Sequence, residues 1–139
     1  MEPLHFELAG TGVALPAQCV SSDSLDAERG AREGALRAAC GVATRYVCAQ
    51  ETQDGLAAQA AQAAMDSAGL RADEIDLIIF GAAVGRQPIP STAPLIARRL
   101  GVAAGAVAAF DVNSTCLSFL TGLDVAASMM ARGRFRAAL

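Results

Sequence analysis

Tryptophan is absent, tyrosine occurs once and aromatic residues make up 4% of the chain, so there is no platform of rings on which nucleic-acid bases could stack. The formal net charge is -3 and no run of basic residues occurs, which removes the electrostatic footprint of a nucleic-acid-binding domain. The longest apolar runs, such as IDLIIFGAAVG at 75–85, stop well short of the roughly 20 residues that a membrane-spanning helix requires. The opening MEPLHFELAGTG has neither the basic start nor the apolar stretch of an export signal. Together these absences predict a cytoplasmic protein that takes neither nucleic acid nor membrane as partner.

Cysteines 19, 40, 48 and 116 form no C-x-x-C pair, and the single histidine is His5. A zinc site is therefore disfavoured, and a reducing cytosol disfavours disulfides. No bound metal is expected. Two glycine-rich stretches also fall short of nucleotide-binding patterns. GTG at 10–12 lacks the third glycine and the later acidic residue of a dinucleotide fingerprint, and GAAVG at 81–85 has no following lysine; both read as turns.

What is present reads as alternating strand and helix. LHFELAGTGVALP predicts a first strand over Leu4 to Leu8, ended by Gly10 and Gly12. Residues 17–50 carry only short helical signals, around 24–28 and 33–39, then Gly41 and a short apolar RYVCA. From Asp54, placed to cap a helix, the alanine-rich GLAAQAAQAAMDSA predicts a tightly packed, largely buried helix that stops at Gly69. EIDLIIFGAAV is a continuous apolar strand of the kind covered on both faces. Prolines then force a loop, GRQPIPSTAP, before APLIARRLG resumes as a helix capped by Ser91 or Thr92. GAVAAFDV predicts another strand and residues 114–132 a long helix, after which RFRAAL opens one more strand. The order predicts a parallel α/β sheet with helices on both faces. A domain seldom stops at the start of a strand, so the 139 residues are expected to be one part of a larger fold.

Cys116 falls at the start of that last long helix. Unpaired N–H groups and the macrodipole at a helix start stabilise negative charge, which favours a thiolate and supplies amides for an oxyanion. The competing reading is structural, because free cysteine is among the most buried residue types. Cys19, Cys40 and Cys48 lack the helix-start argument and read as inert. A nucleophilic cysteine also needs a base or a cationic neighbour, and His5, before the first strand, reads as an ordinary strand or surface residue. These residues alone leave both readings of Cys116 open.

In chain order, GTGVALP, AMDSAGLRADEIDLIIFGAAV, IPSTAPLIARRLG and AFDVNSTCLSFLTGLDVAASMMARG resemble the N-terminal half of the thiolase-like condensing enzymes, most closely the β-ketoacyl-acyl-carrier-protein synthase III type. The resemblance covers nearly all of residues 1–139 and implies the first half of a layered α/β/α/β/α fold. It implies Cys116 as nucleophile: an acyl group is loaded from a thioester onto the cysteine and joined to a second substrate, commonly malonyl on an acyl-carrier protein, with loss of carbon dioxide. No bound cofactor is implied, acyl-coenzyme A or acyl-carrier protein being substrate, and the family is homodimeric. Its catalytic histidine and asparagine, and a glycine amide of the oxyanion hole, belong to the second half, so this stretch alone is expected to be inactive.

The departures concern substrate. Where such synthases place a tryptophan and an arginine that grip coenzyme A, before the pair matching Gly41 and Val42, this chain has Ala35 and Ala39. Leu117 and Ser118 replace a small residue and a glycine. Ile89 matches the apolar residue that reaches across the dimer to the partner's acyl pocket, where head-to-head condensing relatives carry glutamate. Two other expectations stand beside the synthase III reading. One is a specialised relative that passes the acyl group to a hydroxyl or amine; the other is a non-catalytic partner subunit, against which the retained thiol argues.

Overall fold

A computed structural model describes residues 6–139. They fall into two compact units, one made of residues 15–52 and the other of the residues up to Ala14 together with 53–139.

The smaller unit pairs β1 (Gln18–Ser21) antiparallel with β2 (Thr44–Val47). Between them lie α1 (Ser22–Glu28) and α2 (Ala35–Cys40). Ser21 caps α1 by accepting the Ser24 N–H at 3.0 Å, and Gly41 ends α2 at a φ of 73° that a side chain would resist. With few apolar residues to bury, the unit relies on polar ties. Buried Ser22 donates its hydroxyl to the Val42 carbonyl, and buried Asp26 accepts the Leu36 N–H. Glu51 accepts the N–H groups of Ala17, Ala49 and Gln50 at 2.8, 3.0 and 3.2 Å. These backbone donors, Ala17 first, lower its pKa from 4.5 to about 2.

The larger unit is a parallel sheet with helices on both faces, as the alternation predicts. Strands β3 (Leu77–Gly81) and β4 (Ala108–Val112) are parallel neighbours. On the other side of β3, Ala138 forms a parallel bridge with Leu77, and Leu139 exchanges two 2.9 Å backbone bonds with Leu77 and Ile79. RFRAAL therefore reaches β3 through a single parallel bridge and two flanking backbone bonds. Successive β3 side chains point to opposite faces: Ile78 and Phe80 meet Met65 of α3 (Gln53–Ala68) and Ala93 and Ala97 of α4 (Thr92–Arg99), whereas Ile79 and Gly81 lie under α5 (Ser118–Ala131). Complete burial of Leu77 and near-complete burial of Ile78 each contribute about 1.5–3 kcal/mol.

Several expectations are corrected. Leu4 and His5 lie outside the described residues, and 6–16 carry no strand. The GTG glycines serve packing, because a Cβ on Gly12 would stand 2.0 Å from the Ala60 carbonyl oxygen and one on Gly10 2.4 Å from that of Ala64. They let this segment approach the α3 backbone. Helix α3 buries one stripe, Asp54, Ala58, Ala61 and Met65, instead of most of its surface. Asp54 stands inside its first turn, where two arginines hold the carboxylate. Neither Ser91 nor Thr92 caps α4 through its side chain. The Asp111 carboxylate does so from β4, accepting the Thr92 and Ala93 N–H groups at 2.7 Å each. Among the described residues no helix is long and apolar enough to cross a membrane.

Candidate functional site

Because β3 and β4 are parallel neighbours, the segments that follow them leave the sheet at one end, the carboxyl end of the strands, outside which open α/β sheets bind ligands. The segment after β3 carries Ile89 and the segment after β4 carries Cys116. Thus the two positions singled out from sequence share one end of the sheet.

Cys116 sits in a 3-10 turn, Thr115–Leu117, that leads into α5. The sequence predicts an α-helix from Ser114, and the difference has a local cause. Asn113 Oδ1 accepts the Thr115 N–H at 3.1 Å in an Asx turn. Ser118, 2% exposed, accepts the Ser114 N–H at 3.0 Å and donates its hydroxyl to the Thr115 carbonyl at 2.7 Å. Held from both sides, Thr115 adopts a φ of 53°, costly for a β-branched residue and sustained only where the surroundings over-determine it. The α-helix consequently begins at Ser118, two residues after the cysteine. The Cys116 thiol is exposed. Among the described residues, neither that thiol nor its amide N–H has a hydrogen-bond partner, whereas the Leu117 N–H is taken by the Ser114 carbonyl. A thiol presented this way before a helix start can attack a carbonyl, and the spare amide is a donor for the resulting oxyanion.

Ile89 is 88% exposed, the highest value among the large apolar side chains that lie exposed in the described residues. Its loop is fastened on every side. Gln53 of α3 donates to the Val84 carbonyl at 2.8 Å, the Arg86 N–H donates to Thr92 Oγ1 at 3.1 Å, and Asn113 Nδ2 donates to the Ala83 carbonyl at 2.8 Å. Buried Asp54 receives Arg86 on one carboxylate oxygen and Arg99 on the other. Its carboxylate thereby joins α3, the loop and α4. The Asn113 side chain touches both the Ile89 loop and the cysteine turn.

Sequence reasoning missed Asp111, Asn113 and the Asp54 cluster. Asn113 carried a readable signal, since asparagine two residues before a polar turn residue favours an Asx turn. Asp111 and Asp54 act on partners distant in sequence and carried none. The burial expected for Cys19, Cys40 and Cys48 is also corrected, because all four cysteines are exposed. The small unit offers them no interior deep enough. Ala35 and Ala39 both lie exposed on α2. His5 is outside the described residues, which contain no other histidine. A cleft of about 470 Å³ runs along α5, lined by Ile79, Phe119, Leu123 and Met130 among others, but Cys116 does not line it.

No protein-family model matches the chain. It is 40% identical over 127 residues to a β-ketoacyl-acyl-carrier-protein synthase III of Streptomyces coelicolor, covering 91% of this chain and 37% of that protein. The crystal structure of 3-oxoacyl-(acyl carrier protein) synthase III from Pseudomonas aeruginosa superposes with a TM-score of 0.86 at 32% identity, over 94% of this chain and 39% of that one. AbyA1, a tetronic acid condensing enzyme, superposes with a TM-score of 0.85 at 29% identity, over 94% and 41% respectively. The chain spans about two fifths of the length of the curated relatives it matches. Over almost its whole length it is therefore similar in sequence to part of synthase III proteins and shares their partial thiolase-like fold, as its motifs imply.

Proposed function

We propose that this chain supplies the nucleophile of a β-ketoacyl-acyl-carrier-protein synthase III-type acyltransferase. The observation that carries the reading is the Cys116 thiol, exposed and unpaired among the described residues, on a strained turn in front of α5. In the first step the Cys116 thiolate attacks the thioester carbonyl, its C–S bond forms, and the donor thiol leaves with a proton. In the second, malonyl on a carrier protein loses carbon dioxide, and the carbon nucleophile so formed attacks the acyl-cysteine and expels Cys116. Amide N–H groups near the helix start, that of Cys116 first, hold the oxyanion in both steps. The base and the further polarising groups come from residues outside this chain.

The substrates are an acyl thioester and an acyl-carrier protein, with no resident cofactor. Ala35 and Ala39 offer no ring or guanidinium to coenzyme A, which favours a carrier-bound donor. The exposed Ile89 fits a homodimer in which a second copy covers it at the acyl pocket. A specialised acceptor, hydroxyl or amine, is the second reading, favoured by Leu117 and Ser118 beside the nucleophile and by likeness to a tetronic acid condensing enzyme.

The test is an intact mass of the protein as its native host makes it, before and after incubation with a short acyl thioester, beside Cys116→Ala. One added acyl mass that requires Cys116 supports the reading; a folded protein that gains none overturns it. Adding malonyl-carrier protein to the acylated protein then separates the acceptors, since discharge with release of carbon dioxide identifies the condensing reaction.

A further inference from the structure

We infer that Asn113 is a positioning residue for Cys116, a side-chain link that fixes the cysteine turn against the Ile89 loop. The inference rests on the acyl-transfer reading above and adds to it a residue that neither the motifs nor the comparisons assign.

The geometry is specific to a carboxamide. Asn113 Oδ1 accepts the Thr115 N–H at 3.1 Å while Nδ2 donates to the Ala83 carbonyl at 2.8 Å, so one planar group spans both segments at that end of the sheet. Its first bond helps hold Thr115 at a φ of 53°, and that dihedral sets the direction in which the next residue, Cys116, leaves the strand. Its second bond ties the same turn to the loop whose apex is Ile89. Asn113 is itself exposed and belongs to no apolar cluster, so its substitution removes two hydrogen bonds without opening the core. A nucleophile displaced by about 1 Å loses on the order of a hundredfold in rate. A loosened turn therefore shows first in the acylation step and only weakly in substrate binding.

The experiment is single-turnover acylation of the full-length protein by a short acyl thioester, with maximal rate and half-saturating concentration measured separately. For Asn113→Ala the expected result is a fall of about tenfold or more in maximal rate with a half-saturating concentration within about twofold of wild type and a melting temperature lowered by only a few degrees. Asn113→Ser keeps an acceptor for the Thr115 N–H, though a weaker one, and lacks the donor to Ala83; it is expected to recover part of the rate. Should Asn113→Ala fail to fold, Asn113→Ser carries the test with an expected loss of about threefold, in keeping with its weaker turn-forming bond. A maximal rate equal to wild type in the folded variants overturns the inference, as does a loss that merely tracks the unfolded fraction. A folded wild-type protein that takes no acyl group overturns the functional reading itself, an outcome distinct from acylation that ignores position 113.

Discussion

Asp111 accepts the Thr92 N–H at 2.7 Å, so the end of β4 and the start of α4 are joined by a charged hydrogen bond between residues 19 positions apart. The neighbouring Ala93 N–H goes to the other carboxylate oxygen at the same distance. One side chain thereby satisfies two of the amides that every helix start leaves open, and it does so two residues before Asn113. Asp111→Ala should lower stability by about 2–3 kcal/mol, from the loss of a cap and its charge-assisted bonds. A thermal or urea melt within experimental error of wild type would contradict this.

The Asp54 carboxylate is 3% exposed, whereas the Arg86 and Arg99 side chains that hold it are 38% and 43% exposed. Removing the acid leaves two guanidinium groups that reach water, so the penalty falls below that of a fully buried pair. Asp54→Ala is expected to cost about 1–3 kcal/mol. Hydrogen exchange should rise locally in 82–91, because Arg86 is part of that loop; uniform exchange across the protein would argue against the anchoring role.

Glu51 yields a pH prediction. Its pKa is depressed from 4.5 to about 2 by the Ala17 amide first and then by other backbone N–H groups. A group depressed on folding contributes stability that is complete above its unfolded value and is lost as pH falls toward its folded one. Protection of the Ala17 amide in residues 15–52 should therefore decline between about pH 4.5 and about pH 2. In Glu51→Gln that amide should show no such decline in this window, as followed by NMR-detected exchange.

Alkylation offers a fourth test. All four cysteines are exposed, so differences in labelling rate report thiolate character instead of access. Peptide mapping after brief iodoacetamide treatment near neutral pH should find Cys116 modified well ahead of Cys19, Cys40 and Cys48. Equal or slower labelling of Cys116 would remove the argument for an activated nucleophile.

The larger unit was the more legible of the two because its elements rest on long apolar patterns. Leu77 to Phe80 could be read as a covered strand, and Ile78 and Ile79 do face opposite layers. Residues 15–52 were harder, since their helices are short and held by buried Ser22 and Asp26, polar side chains that look like surface in a sequence. Cys116 could be placed at a helix start, but the turn that presents it depends on Asn113 and Ser118 acting together. The position of Ile89 at the same end of the sheet followed from the parallel pairing of β3 and β4, which periodicity does not specify.

The bridge between Leu77 and Ala138 also bears on the order in which the chain folds. Its neighbouring tie, from the Asp76 carboxylate to the Ala137 N–H, joins residues 61 positions apart, and parallel contacts of such long range form slowly because a large loop must close first. During synthesis β3 therefore emerges long before its second neighbour exists. Its Ile79 amide, which donates to Leu139, should stay open to exchange on ribosome-held chains that stop before residue 138 and become protected once residues 138 and 139 have cleared the tunnel; early protection would contradict this order.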